Sequence, residues 1–305
     1  MKALVLGGTY FIGKVLTQKL IETGNYEITL LNRGTKEQEI ESLPVSLIKT
    51  DRTNAEGMRK ALNNEYFDVV FDISGYNERD VSLAVLALKR RVGQYIFCSS
   101  VAVCRQPPDF WPLTENHPKC ISIKDGEYGF NKWRAESFLW NEWQRGELTV
   151  TVARPVYVYG PYNYRKRETL IFEKALEGLP LHICGNGENI VQFGFVEDLV
   201  EAMMSMVGNK LAYGEAFNVS GYELVTVDTF IHLAANAVGK DIEIVYGDEN
   251  MSGESDPFPK IHRFADISKM KTILGIKPKV SLRDGLRRTA EWYLEKLQKE
   301  RSEQS

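Results

Sequence analysis

Tyr128 and Lys132 stand four residues apart in the stretch YGFNK. That spacing puts both side chains on one face of a helix. Upstream, an apolar run ends in FCSSVAVC and supplies two hydroxyls, Ser99 and Ser100. Strand alternation points these two serines to opposite faces. A hydroxyl, a phenol and an ammonium converging beside a nicotinamide make a hydride-transfer site. A lone Tyr-x-x-x-Lys is also common surface decoration, so the reading depends on what surrounds it.

The N-terminus supplies that context. The apolar run KALVL at 2–6 leads into GGTYFIG at 7–13. An apolar helical pattern follows at Ile12, Val15, Leu16 and Leu20, and Gly24 closes it. A glycine-rich turn that follows a strand and opens a helix can hold a pyrophosphate on free N–H groups. Gly7 allows the tight turn, Gly8 adds a second flexible position, and Gly13 allows the helix to pack close to the strand. Tyr10 stands where a third glycine is expected, and the alternative is an ordinary glycine-rich turn.

The elements that must position these residues alternate. Strands are predicted at 26–32, 45–49, 68–73, 94–99 and 148–153, with helices near 54–63, 79–91 and 128–145. Continuous apolar strands alternating with helices imply an α/β fold, a doubly wound parallel sheet covered on both faces. Residues 1–155 are read as this dinucleotide-binding domain, with later segments near 190–220 returning to it. Residues 156–305 are read mainly as a smaller mixed α/β lobe for substrate. Its stretch SLRDGLRRTAEWYLEKL predicts an amphipathic helix.

Composition excludes some classes. The chain has 305 residues, 43% apolar and 26% charged, with a net charge of −3. A sequence-independent nucleic-acid binder usually carries a basic footprint, so nucleic acid is not an expected partner. Cys98, Cys104, Cys120 and Cys184 lack metal-ligand spacing. They read as reduced thiols of a cytoplasmic protein, and no metal site is expected. MKALVLGG has too short an apolar run for a signal peptide, and no stretch approaches the ~18 apolar residues of a membrane span.

Taken together, the motifs resemble the extended short-chain dehydrogenase/reductases, the NAD(P)-dependent epimerase/dehydratase superfamily with its Rossmann fold. The residues that carry the resemblance are GGTYFIG, the pair Asp51-Arg52, SSVAVC, YGFNK, RPVYVYGP at 154–161, FVEDL at 195–199 and DISKMKTILG near the end. The pattern is most similar to the branch that includes the chloroplast stem-loop-binding proteins and bacterial reductase-like proteins.

The resemblance implies a Ser100, Tyr128 and Lys132 triad. Tyrosine has a reference pKa near ~10, so Lys132 and an oxidised nicotinamide would have to stabilise its phenolate. Tyr128 would then remove a hydroxyl proton as hydride leaves carbon, or donate it in the reverse direction. Ser100 would hold the substrate oxygen, and Lys132 would also bind the nicotinamide ribose. Cofactor contacts implied by the same resemblance are Gly7, Gly8, Thr9, Tyr10, Phe11, Ile12 and Gly13; Asn32 and Arg33; Asp51 at the adenine amine with Arg52 flanking the ring; Ile73, Ser74 and Gly75; Ser99; and Pro155.

Asn32-Arg33-Gly34 places no carboxylate at the end of the second strand. Arg33 can bind a 2′-phosphate there, which favours NADP, with NAD as the alternative. Tyr10 is expected to point outward and shape that 2′ pocket, or else merely to cover the loop.

The substrate is expected to be a small hydroxyl or carbonyl compound that is oxidised, reduced or epimerised through a transient ketone. Sugar-nucleotide epimerases of the superfamily carry Asn, Arg, His and a further Arg where this chain has Tyr157, Val191, Phe195 and Asp256. Val101 and Ala102 replace the acidic pair of the 4,6-dehydratases. Arg165, Lys166 and Arg167 could supply charge, or form a solvated face. Phe110 and Trp111 could wall the substrate or anchor their loop, and His117 reads as structural. Tyr157, Tyr159, Tyr162 and Tyr164 crowd one loop as an aromatic pocket or as packing. The alternatives are a nucleotide-sugar epimerase or dehydratase with atypical diphosphate contacts, and a non-catalytic dinucleotide- or RNA-binding relative. The resemblance implies a homodimer through 79–91 and 128–145, where Phe138, Leu139, Trp140 and Trp143 on the second helix would meet a partner or else pack in the core.

Overall fold

In the computed structural model, residues 1–35, 41–62, 64–88, 90–247, 258 and 260–303 are described. Short apolar runs become strands, and glycines such as Gly24 and Gly178 end some of the helices between them. Gly24, for example, takes φ 64° and closes the first helix. The strands are β1 (Lys2–Leu6), β2 (Glu27–Asn32), β3 (Ser46–Lys49), β4 (Phe67–Asp72), β5 (Val92–Cys98), β6 (Val150–Pro155), β7 (Tyr157–Tyr159), β8 (Leu181–Cys184), β9 (Ile190–Phe195), β10 (Glu215–Val219), β11 (Leu224–Thr226) and β12 (Ile244–Gly247). The helices are α1 (Phe11–Thr23), α2 (Ala55–Leu62), α3 (Glu78–Leu88), α4 (Glu127–Gln144), α5 (Glu168–Glu177), α6 (Val196–Ser205), α7 (Val227–Ala237) and α8 (Leu282–Glu303).

The chain divides into two compact units. The first comprises Met1–Val156, Leu199–Val219 and Ala265–Lys277. Residues 190–198, expected near the return to this part, lie instead with the second unit, and 265–277 lie with the first. The first unit holds a seven-stranded sheet in the order β10-β6-β5-β4-β1-β2-β3. Every neighbouring pair in it is parallel. Strand order reverses between β1 and β4, and such a switch point is where open parallel sheets bind ligands. Leu4, Val70, Phe97, Leu139 and Val152 belong to its core.

The helix aromatics expected at a dimer contact pack on this same core. Leu139 is fully buried, and Phe138, Trp140 and Trp143 lie partly buried against it. A salt bridge ties α4 to β6 beneath them. Glu136 takes Arg154 Nε at 3.0 Å and a second guanidinium N–H, and both side chains are buried.

The second unit comprises Tyr157–Asp198, Ser220–Phe264 and Pro278–Ser305. It contains the sheet β11-β9-β7 and the pair β12-β8. Phe172, Phe195, Phe230 and Leu286 belong to its core. Among the described residues, no helix is long and apolar enough to cross a membrane.

Candidate functional site

The turn after β1 is built so that only glycine fits. A Cβ on Gly13 would stand 1.9 Å from the Gly7 carbonyl oxygen, and one on Gly7 would stand 2.8 Å from Ser74 Cβ. Gly7 also takes φ 92°. Thr17 clamps the turn by donating its hydroxyl proton toward the carbonyls of Gly8 (3.0 Å) and Gly13 (2.8 Å). Tyr10, the N-cap residue of α1, makes no side-chain cap hydrogen bond among the described residues. The dipole of a helix that opens on a glycine turn suits an anion there. The next residue, Phe11, is buried at φ 39°, a left-handed conformation rare outside glycine. Thr9 is buried, Ile12 is half-buried, and the Tyr10 ring is 47% exposed.

The neighbouring strand ends carry the next residues. Asn32 Oδ1 accepts from Gly34 N at 2.7 Å, which turns the chain and leaves Arg33 exposed. Asp51 accepts from the backbone N–H and hydroxyl of Thr53 at 2.8 and 2.7 Å. Those bonds, with the Arg33 charge, hold its carboxyl below the ordinary value. Arg52, expected to flank the adenine, has structural partners of its own. Its guanidinium turns inward, binding Asp72, the Ser74 hydroxyl (2.6 Å) and the Asp80 carbonyl (3.0 Å). Asp72 supplies the reason: it ends an apolar strand and needs a cation. Burial works against its ionisation, yet Arg52 and the Tyr95 hydroxyl hold the carboxyl below the usual range. Ile73, Ser74 and Gly75 follow directly, with Ile73 N donating to Leu6 O at 3.1 Å and Gly75 buried.

Tyr128 is positioned by α4. Gly129 was not singled out by sequence reasoning, yet it decides the arrangement. A Cβ there would lie 1.9 Å from the Ala102 carbonyl oxygen. Its absence seats the first turn of α4, carrying Tyr128, against the short turn that begins after Ser100. Tyr128 is 46% exposed. Ser100 is buried, and its Oγ accepts from Ala102 N at 3.1 Å. Ser99 is buried, its hydroxyl without a partner among the described residues, while its N–H donates to Ala153 O at 2.7 Å. Pro155 ends β6 beside Val219. The signal for Gly129 was its place inside YGFNK, directly after the tyrosine.

Lys132 is almost fully buried. Its Nζ donates to the carbonyls of Gly75 and Cys98, both at 2.7 Å, and sits 4.8 Å from the Phe97 ring centre and 5.1 Å from that of Tyr76. Burial pushes its ammonium below the ordinary value, with Cys98 and Asp72 pulling the other way. Burial also raises the Cys98 thiol to about 11, so it stays protonated at neutral pH.

The remaining candidates fall elsewhere. Val191 and Phe195 are buried on β9 in the second unit. Tyr157 and Tyr159 are strand residues rather than loop residues, and the Tyr159 hydroxyl reaches the carbonyls of Ser281 and Leu282 at 3.4 Å. Tyr164, Arg165 and Lys166 are exposed, but Arg167 is half-buried. His117 is buried against Phe110, with ring centres 4.3 Å apart, while Phe110 itself is 53% exposed and Trp111 half-buried. Asp256 lies outside the described residues.

A parallel sheet with a switch point, a glycine turn that excludes side chains, and a buried lysine one helical turn from a tyrosine define a dinucleotide-binding oxidoreductase fold. The chain belongs to the NAD dependent epimerase/dehydratase family, whose model matches residues 3–220. Its activity is accordingly of the NAD-dependent oxidoreductase type. It is 34% identical over 303 residues to the chloroplast stem-loop binding protein of 41 kDa b from Arabidopsis thaliana, covering 93% of this chain and 77% of that one. The UDP-glucose 4-epimerase of Thermotoga maritima, solved with UDP-glucose, superposes with a TM-score of 0.82 at 26% identity, covering 97% of this chain and all of that one. The dTDP-glucose 4,6-dehydratase of Bacillus anthracis, solved with NAD, shares the fold with a TM-score of 0.82 at 22% identity over 98% of both chains.

Proposed function

We propose that the first unit binds a nicotinamide dinucleotide over the Gly7–Gly13 turn and that Ser100, Tyr128 and Lys132 serve oxidation or reduction of a small hydroxyl or carbonyl compound. The observation that carries the reading is the seat of α4. Gly129 against Ala102 sets the Tyr128 turn on the Ser100 turn, and Lys132 reaches the ends of β4 and β5 one turn later. The bound dinucleotide supplies the hydride acceptor or donor.

The chain's own groups handle the proton. Tyr128 takes it from the substrate hydroxyl or returns it to the carbonyl oxygen. The Lys132 charge favours the phenolate during that exchange. Ser100 orients the substrate oxygen. The Gly7, Gly8 and Gly13 turn would hold the pyrophosphate, and Asp51 would accept from the adenine amine.

NADP is the favoured form in this reading. Arg33 is exposed, and no carboxylate occupies positions 32–34 to repel a 2′-phosphate. The relatives' names point to nucleotide sugars as substrates. Against that, Val191 and Phe195 are buried apolar residues where the superfamily's sugar-nucleotide epimerases carry Arg and His. A homodimer through α3 and α4 and a cytoplasmic location belong to the same reading, supported on α3 by the 64% exposure of Leu86.

The test is NADPH and NADH oxidation by the whole chain against a panel of aldehydes, ketones and keto-sugars. Turnover that is lost in Tyr128→Phe supports the reading. Turnover unchanged in that variant overturns the triad.

A further inference from the structure

Arginine can only donate hydrogen bonds. The Arg52 Nη1 stands 2.6 Å from Ser74 Oγ, so the serine oxygen is the acceptor of that bond and its own proton is turned elsewhere. No acceptor for that proton stands among the described residues, and the side chain is half-buried.

The turn that carries Ser74 is held by charge. Ser74 N donates to Asp72 Oδ1 at 3.2 Å, and Tyr76 N donates to Asp80 Oδ2 at 2.9 Å. Gly75 O accepts from Lys132 Nζ at 2.7 Å. Ile73 N is engaged by Leu6 O at 3.1 Å. Asp72, Asp80 and Lys132 therefore fix the backbone of this turn, and with it the place of the Ser74 hydroxyl.

That place is the switch point of the sheet. Strand order reverses between β1 and β4, and Gly7 follows the first of these strands as Ser74 follows the second. A Cβ on Gly7 would stand 2.8 Å from Ser74 Cβ and 3.0 Å from its Oγ. The hydroxyl thus lies against the first residue of the glycine turn, in the crevice where open parallel sheets take ligands. Packing against Gly7 asks only for a small side chain, and alanine would serve. Serine adds a hydroxyl whose oxygen is committed to an arginine.

Arg52 brings orientation there rather than net charge. Asp72 accepts from Nη1 at 2.7 Å and from Nη2 at 2.9 Å, which neutralises the guanidinium. The planar fork reaches carboxylate and hydroxyl together, a geometry that a lysine ammonium does not reproduce.

We propose that Arg52 is a positioning residue for dinucleotide binding: by holding Ser74 Oγ, it leaves the Ser74 proton to be donated to an oxygen of the bound dinucleotide. This rests on the dinucleotide-binding reading above. A hydroxyl that accepts one hydrogen bond donates a stronger one, because linked bonds polarise each other. The diphosphate and ribose oxygens of a dinucleotide are acceptors of the required kind, and an anionic one strengthens the bond further.

The experiment is fluorescence titration of the whole chain with NADPH and NADH, and calorimetric titration with ADP. It compares wild type, Ser74→Ala, Arg52→Lys and the double variant. Ser74→Ala should weaken the dinucleotide that the wild type binds by about tenfold. Its melting temperature should hold, because both ions of the Arg52–Asp72 pair remain. Arg52→Lys should weaken binding by a similar factor, and the double variant should bind no worse than Ser74→Ala alone, since the arginine acts through that hydroxyl. An arginine that served the fold alone would give losses that multiply. Ser74→Ala decides alone where Arg52→Lys does not fold. An equal loss for ADP assigns the acceptor to the adenosine diphosphate half, and a loss confined to the whole dinucleotides assigns it to the nicotinamide side. Wild-type binding that is unaltered in either single variant, or losses that multiply in the double variant, overturns the proposal and leaves the dinucleotide reading standing. No binding by the wild type overturns both.

Discussion

The Arg52 guanidinium grips the Asp72 carboxylate end-on, Nη1 to Oδ1 at 2.7 Å and Nη2 to Oδ2 at 2.9 Å. The pair joins the segment after β3 to the end of β4, beside the glycine turn. Asp72 is fully buried, so the arginine neutralises a charge that the sheet could not otherwise hold. Asp72→Asn leaves that guanidinium without its counter-charge and should cost about 3–5 kcal/mol in chemical unfolding.

Acid should erase that difference. The Asp72 carboxyl is depressed in the fold, so its contribution is complete above the unfolded value of about 3.9 and is lost as pH falls through the lower folded value. Wild type and Asp72→Asn should therefore differ most near pH 7 and converge in acid below about pH 4. Melting temperatures across pH 3–8 check this. A gap that stays constant would place the Asp72 contribution outside its ionisation.

Tyr128→Phe should lower turnover by about 10²- to 10⁴-fold, the usual worth of a positioned proton carrier. Nicotinamide affinity, read by fluorescence titration, should hold. Loss of both together would mean that the ring hydroxyl mainly holds cofactor.

Gly129→Ala should drive the new methyl into the Ala102 carbonyl oxygen, which is backbone and cannot swing aside. Overpacking of this kind costs about 1–3 kcal/mol. The first turn of α4 must shift off the Ser100 turn, so activity should fall further than stability alone accounts for. Comparing kcat with the melting temperature separates the two effects.

Arg33→Asp should move preference from NADP toward NAD by about tenfold or more, through loss of a charge-assisted hydrogen bond and gain of repulsion. Paired kcat/KM values for the two dinucleotides decide it. Tyr10→Gly should shift the same ratio if the exposed ring borders the 2′ position; an unaltered ratio makes Tyr10 a cover for the loop.

What the sequence made legible follows the reach of each signal. The parallel sheet is written in local patterns: KALVL before two glycines, DVVFD shortly before Gly75, QYIFC before two serines. The Gly7–Gly13 turn and the Tyr128–Lys132 spacing are also local, and both stand where their motifs put them. The Arg52–Asp72 pair was not legible, because the two lie twenty residues apart and only the fold brings them together. Arg167 hid inside RKRE, a run that looks solvated; its neighbours Arg165 and Lys166 are exposed and it is not. Gly129 carries meaning only once the Ala102 carbonyl is known to lie against it.

Lys132 clasps the carbonyls of Gly75 and Cys98, the backbone just past one strand end and the last residue of the next. It is therefore a fastener for the ends of two central strands as well as a charge one helical turn from the tyrosine. Deleting it removes two buried hydrogen bonds along with any chemistry, so a dead Lys132→Ala enzyme reports damage and mechanism together. A relative that had given up turnover would still have an architectural use for this lysine. Across such relatives, retention of the exposed tyrosine is the better sign that the reaction survives.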